Sequence, residues 1–324
     1  MNYKQSKIFL LFSVLTLFGC NFSQGVVAKP PQQQDLQTMP SVLPTQPSNL
    51  ATPLTYKFET YDSKVMDASR TYGVSLPPGY EQNSKQRYPV IFLLHGGHGD
   101  PSSWFIQSKG QALKTVEQLY TTGKLPPSII ITPDGNDKRG SSPYRDPEYI
   151  DGPNGKISTA VGDELVKVIQ SRYRTINNPD FWAIGGLSSG GWGAINVGLH
   201  NLDRFSILFS HSGYFQDKSG PANSPISYIK TIPPQAQRKL KIYLDSGTSD
   251  TDELGEAERF SKVLNHLKIY NSFRQFPGSH TWKYWREHLA NSLTFVGEQF
   301  RASETANMVK RNLSINQNKN TKNN

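Results

Sequence analysis

The sequence predicts an α/β fold, a mostly parallel central sheet with helices on both faces. Three observations carry this. Short, continuous apolar runs such as Val90–Leu94 and Ser128–Thr132 have the length and composition of strands buried on both sides. Segments with helical spacing lie between such runs, so strand-like and helix-like stretches alternate from residue 56 to 300. Glycine-rich motifs follow the strand ends, where parallel sheets build their sites.

The elements follow in order. Arg70–Leu76 reads as a strand, stopped by Pro77-Pro78-Gly79, and Val90–Leu94 as the next. Gln111–Tyr120 has helical spacing in Leu113, Val116 and Leu119–Tyr120, and Ser128–Thr132 is a buried strand. Val161, Leu165, Val168 and Ile169 mark one face of a helix. Phe181–Ile184 is a strand that runs into glycines, with a helix over Trp192–Leu199 after it. Phe205–Phe209 and Lys241–Leu244 are strands, Leu254–Leu267 a helix, Ser272–Phe276 a strand and His288–Phe300 the final helix.

Composition excludes several classes. The 324 residues suffice for one large domain, and a single cysteine, Cys20, rules out intramolecular disulfides and a structural zinc cluster. The net charge of +9 is spread as +2 in residues 1–55, +4 in residues 301–324 and +3 between them, with no dense basic run. Nucleic-acid binding is therefore not expected.

The ends read differently from the middle. Lys4 and Lys7 precede the apolar stretch Ile8–Phe18, too short to span a bilayer, which needs about 20 apolar residues. Residues 1–20 are thus an export signal. Leu17-Phe18-Gly19-Cys20 has the form of a bacterial lipoprotein signal, with Cys20 as the lipid attachment site, although Phe18 stands where a smaller residue is usual. Cleavage after Val26-Val27-Ala28 is the alternative, and either route exports the chain. Residues 21–55, rich in Gln, Pro, Ser and Thr, read as a disordered tether. The folded domain occupies 56–302, and the Asn- and Lys-rich residues 303–324 read as a disordered tail.

Gly186-Leu187-Ser188-Ser189-Gly190 matches G-x-S-x-G. The pentapeptide is a weak signal alone, but it lies between a strand and a helix, as a nucleophile elbow requires. Small flanking residues allow the sharp turn, which forces the serine into a strained conformation. Ser188 is the candidate nucleophile; Ser189 has Leu187, not glycine, two residues before it.

A serine hydroxyl needs an imidazole to take its proton and a carboxylate to orient that imidazole, in the chain order Ser, Asp/Glu, His. Asp250, in the loop after Lys241–Leu244, is favoured as the acid over Asp245, which is still on the strand end, and over Asp252 and Glu253. His95, His98, His200 and His211 precede Asp250, and His266 falls within a helical run. His280, in a loop after Ser272–Phe276, is favoured over the mid-helix His288. An acyl transfer also needs N–H donors for the carbonyl oxygen. Ser189 offers one, and Gly97 or His98, in the loop His95-Gly96-Gly97-His98-Gly99, the other. His95 and His98 lack the further clustered ligands that a zinc site needs, and no metal or organic cofactor is expected.

From about Arg70 to Phe300 the chain resembles the esterase-D-like, or "putative esterase", branch of the α/β-hydrolases. That branch includes feruloyl and acetylxylan esterases, ferric-enterobactin esterases, S-formylglutathione hydrolases and mycolyltransferases. The resemblance rests on Leu76-Pro77-Pro78-Gly79-Tyr80, Tyr88-Pro89-Val90 leading to His95-Gly96-Gly97, and Tyr173-Arg174-Thr175-Ile176. It continues through the elbow Gly186–Gly191, Gly247-Thr248-Ser249-Asp250 and His280-Thr281-Trp282-Lys283-Tyr284-Trp285. It implies an α/β-hydrolase fold without a large lid and Ser188, Asp250 and His280 as the triad. The family often has methionine after the nucleophile, where Ser189 stands here.

Asn136 follows a strand end and is a candidate substrate contact, as are Trp104 and Trp282 in an aromatic set with Trp192, Tyr214 and Trp285. The expected function is an exported serine carboxylesterase acting on a carbohydrate, phenolic or siderophore ester, small or linked to polysaccharide, with a lipid on Cys20 as its membrane anchor. An acyltransferase on the same acyl-enzyme path is the alternative. A non-catalytic binding lipoprotein is disfavoured, because it has no use for an ordered triad.

Overall fold

The computed structural model describes residues 41–47, 52–141 and 145–322, so Cys20 and the export signal lie outside the described residues. Eight strands form one sheet: β1 (Lys57–Ser63), β2 (Ala68–Ser75), β3 (Val90–Leu94), β4 (Ile129–Pro133), β5 (Trp182–Leu187), β6 (Ile207–His211), β7 (Lys241–Gly247) and β8 (Tyr270–Phe276). Their spatial order is β1-β2-β4-β3-β5-β6-β7-β8. Only β2 runs antiparallel to its neighbours. From β4 to β8 every pairing is parallel, as the alternating sequence predicts.

Each residue of β3, β4, β5 and β6 is buried, which explains their unbroken apolar runs. Alternation along β3 feeds two cores. Val90, Phe92 and Leu94 pack with α2 (Leu165–Arg172), α3 (Ser189–His200) and α4 (Thr251–His266). Ile91 and Leu93 pack on the other face with α1 (Ala112–Thr121) and α5 (Trp282–Lys322). The sheet is thus covered on both sides, and the central strand ends open at one edge of the sandwich.

The structure adds one strand that the sequence reading lacks and corrects four expectations. β1 carries no apolar alternation, since most of its residues are exposed, and it joins the sheet by pairing with β2. Helix α3 begins at Ser189, three residues before the expected Trp192, because burial of its first turn outweighs the poor helix propensity of Gly190 and Gly191. Helix α5 begins at Trp282 rather than His288. There the Tyr284 N–H meets the Thr281 hydroxyl at 3.4 Å and the Trp285 N–H meets the Thr281 carbonyl at 3.2 Å. The same helix runs on to Lys322, where a disordered tail was expected from residue 303. Glu304 on it accepts the amides of Val42 and Leu43 at 2.8 and 3.0 Å, so this part of the expected tether packs on the domain. Contacts between chain ends do not register in local composition.

Candidate active site

Ser188 stands between β5 and α3 with φ 54° and ψ −129°. Such a conformation costs a non-glycine residue about 1–3 kcal/mol and persists only where its surroundings enforce it. Here the Ser188 amide donates to the His211 carbonyl at 2.9 Å, and the Ser188 carbonyl accepts from Gly191 and Trp192 at 2.8 and 3.0 Å. A Cβ on Gly190 would lie 2.3 Å from the His95 carbonyl oxygen, and one on Gly186 2.4 Å from that of Gly190. The glycines of the motif are therefore steric requirements. Ser188 heads a helix of 12 residues, whose N-terminal field favours negative charge beside the hydroxyl.

The loops carrying the other two groups are knit together. The Thr248 amide donates to Phe276 and the Ser249 amide to Gly278, each at 2.8 Å. This brings His280 Nε2 to 2.9 Å from Ser188 Oγ and His280 Nδ1 to 2.9 Å from Asp250 Oδ2. Asp250 is buried, whereas the His280 side chain is 37% exposed. Burial works to lower the His280 pKa, but the hydrogen bond and charge of Asp250, with Glu253 and Asp146 beyond, hold it above the ordinary histidine value. Burial opposes the charge on Asp250, yet hydrogen bonds with His280, Glu253 and Ser212 hold its carboxyl below the ordinary range.

One member of this shell carries no sequence signal. Ser212, with φ 50°, receives the Trp285 indole N–H at 3.1 Å and hydrogen-bonds Asp250. Trp285, which closes the motif that begins at His280, meets the His280 ring edge-to-face at 4.9 Å. Ser212 is brought there by strand register alone.

The loop after β3 lies against the elbow, because Leu94 pairs with Gly186. A Cβ on Gly96 would sit 3.0 Å from the Leu187 carbonyl and 3.1 Å from Ser188 Cβ. Gly97 and His98, the latter at φ 56°, follow directly on Gly96 in this loop. His95 is a brace: its Nε2 accepts the Gly135 amide at 3.0 Å, and its Nδ1 lies 2.9 Å from the Gly96 carbonyl. That pattern defines a ring with the proton on Nδ1.

One expected substrate contact is corrected. Trp104 is fully buried and gives its indole N–H to the Leu94 carbonyl at 2.9 Å, so it supports the oxyanion loop from beneath. The Asn136 amide is committed to the Gly99 carbonyl at 3.0 Å and to Asp134 Oδ1 at 2.9 Å. Trp282 stays half-exposed beside the site, 5.4 Å from Trp285. A cleft of about 280 Å³ is lined by Arg139, Asp146, Trp192 and Tyr214 among others. Trp192 and Tyr214 stack in it at 5.2 Å. Asp146 reaches down so closely that a Cβ on Gly97 would collide with its carboxylate.

The doubly covered parallel sheet, the strained serine on a strand–helix turn and the loops that deliver a histidine and an aspartate define an α/β-hydrolase. The chain belongs to the family described as "Putative esterase", whose profile matches residues 63–296. It is 22% identical over 253 residues to an uncharacterized protein of Corynebacterium glutamicum, covering 72% of this chain and 58% of that one. It is 30% identical over 277 residues to an esterase of Mycobacterium tuberculosis, covering 70% and 55%. The chain therefore spans little more than half the length of these curated relatives. A solved ferulic acid esterase superposes with a TM-score of 0.69 at 28% identity, over 76% of this chain and 98% of the other.

Proposed function

We propose that this protein is a serine carboxylesterase working through an acyl-enzyme on Ser188. The observation that carries the reading is the unbroken relay from Ser188 Oγ through His280 to Asp250, two contacts of 2.9 Å each. Ser188 Oγ attacks the ester carbonyl carbon while His280 Nε2 takes its proton. The carbonyl oxygen gains negative charge opposite the N–H groups of Ser189 and of Gly97 or His98. The C–O bond then breaks, and the alcohol leaves with the proton from His280. Water, deprotonated by His280, attacks the acyl-enzyme and releases the carboxylic acid and free Ser188.

Tyr214, partly exposed in the cleft that Asp146 also lines, offers an aromatic face that favours a flat, phenolic acyl group. The likeness to a ferulic acid esterase supports the same class. The expected result is that the full chain turns over methyl ferulate as well as p-nitrophenyl acetate, and that Ser188→Ala abolishes both. Wild-type rates in Ser188→Ala would sink the proposal.

Export and a lipid on Cys20 belong to the same proposal and rest on residues 1–20 of the sequence. Among the described residues no helix is long and apolar enough to cross a membrane. Labelling with a palmitate analogue in a bacterial host should mark the full chain and not Cys20→Ala. Unlabelled protein in the medium would favour cleavage after Ala28 instead.

A further inference from the structure

We infer that Glu253 is a positioning residue for the triad: it bridges to Asp250 through a shared proton and thereby sets the pH range over which His280 acts as a base. The inference rests on the esterase reading above for its kinetic arm and on geometry for the rest.

Glu253 lies in the first turn of α4, three residues after Asp250 at its N-cap, so its side chain can turn back toward the Asp250 carboxyl. An oxygen of each carboxyl and a ring nitrogen of His280 lie within 4.8 Å of one another. A buried and a partly buried carboxylate that close cannot both ionise freely, so one keeps a proton the other accepts. Asp250 is the one fixed as the anion, since His280 and Ser212 both hydrogen-bond it. Burial together with the hydrogen bond and charge of Asp250 lifts the Glu253 carboxyl to about 7. The protonated Glu253 therefore donates to Asp250, which is then held from three sides.

The consequence falls on His280. When Glu253 ionises, a second negative charge faces the imidazole and stabilises its protonated, non-basic form. The groups that bear on this pair are Asp250 and His280 on Glu253, and Asp146, from the loop over the site, on His280.

Glu253→Gln keeps a donor but cannot ionise, and Glu253→Ala removes the bridge. Two readouts apply to the full chain: the pH dependence of kcat/KM with p-nitrophenyl acetate, and the His280 titration followed by imidazole NMR, which needs no turnover. In Glu253→Gln the His280 titration and the acid limb should both move to lower pH, by about half a unit or more, and follow a simple one-proton curve. In Glu253→Ala kcat should fall roughly tenfold with KM unchanged. Identical His280 titrations in wild type and Glu253→Gln would overturn the inference. So would displacement of the His280 resonances by micromolar zinc, which would make the three groups a metal site. An inactive wild type whose His280 titration still shifts in Glu253→Gln would sink the esterase reading and leave the coupling intact.

Discussion

Two Asp–His–Ser arrangements stand side by side at the end of this sheet. In the first, His280 contacts Asp250 and Ser188, each at 2.9 Å. In the second, His211 contacts Asp245 through Nδ1 and Ser292 through Nε2, again each at 2.9 Å. Distances do not distinguish them. His211 and Asp245 are wholly buried, and Ser292 is an ordinary helical residue of α5. His280 is partly open, and its serine sits on a strained turn at the start of a helix. A hydrogen-bonded Asp–His–Ser set is thus only a polar network. Access for a substrate, backbone donors beside the serine and a helix N-terminus make one of the two a reaction centre.

The largest expected effects separate the two histidines. His280→Ala should cost roughly 10⁴-fold or more in kcat and leave urea unfolding nearly unchanged. His211→Ala should do the reverse, since it leaves the buried Asp245 carboxylate with only the Tyr284 hydroxyl on one oxygen, while the other oxygen already lacks a partner. A loss of about 3–5 kcal/mol in unfolding free energy is expected, with activity within severalfold where the protein is folded. A stable but inactive His211→Ala would erase the distinction between the sites.

A smaller effect lies in pH. The neutral imidazole of His280 is the base, and its pKa is raised above the ordinary 6.5, so kcat/KM should rise with pH through a limb above that value. Stability moves in the opposite sense. The Asp250–His280 contact contributes fully below the unfolded-state value and is lost as pH rises through the folded one, a modest term because the ring is partly exposed. A pH–rate profile beside urea midpoints at the same pH values checks both signs, and parallel curves would contradict this account.

Much of the first site was legible. Ser188, Asp250 and His280 were reached from chain order and loop position, and the structure brings all three together. The second site was not. Asp245 and His211 were set aside separately, one as too early on its strand and the other as out of order. They meet because β6 and β7 pair with His211 opposite Asp245. Trp104 was misplaced for a related reason, since aromatic character says nothing about which way a side chain faces.

The sequence by itself determined the strands from β2 onward, the existence of the helices between them, the elbow and the family, because apolar periodicity and glycine placement are local properties with local steric causes. Only the tertiary structure decided strand register, and with it the pairing of His211 with Asp245 and the arrival of Ser212 beneath Asp250. It alone decided that α5 continues past residue 303 and takes the amides of Val42 and Leu43. These are contacts between segments far apart in the chain, fixed by the packing of whole elements, and no short stretch of sequence holds the information.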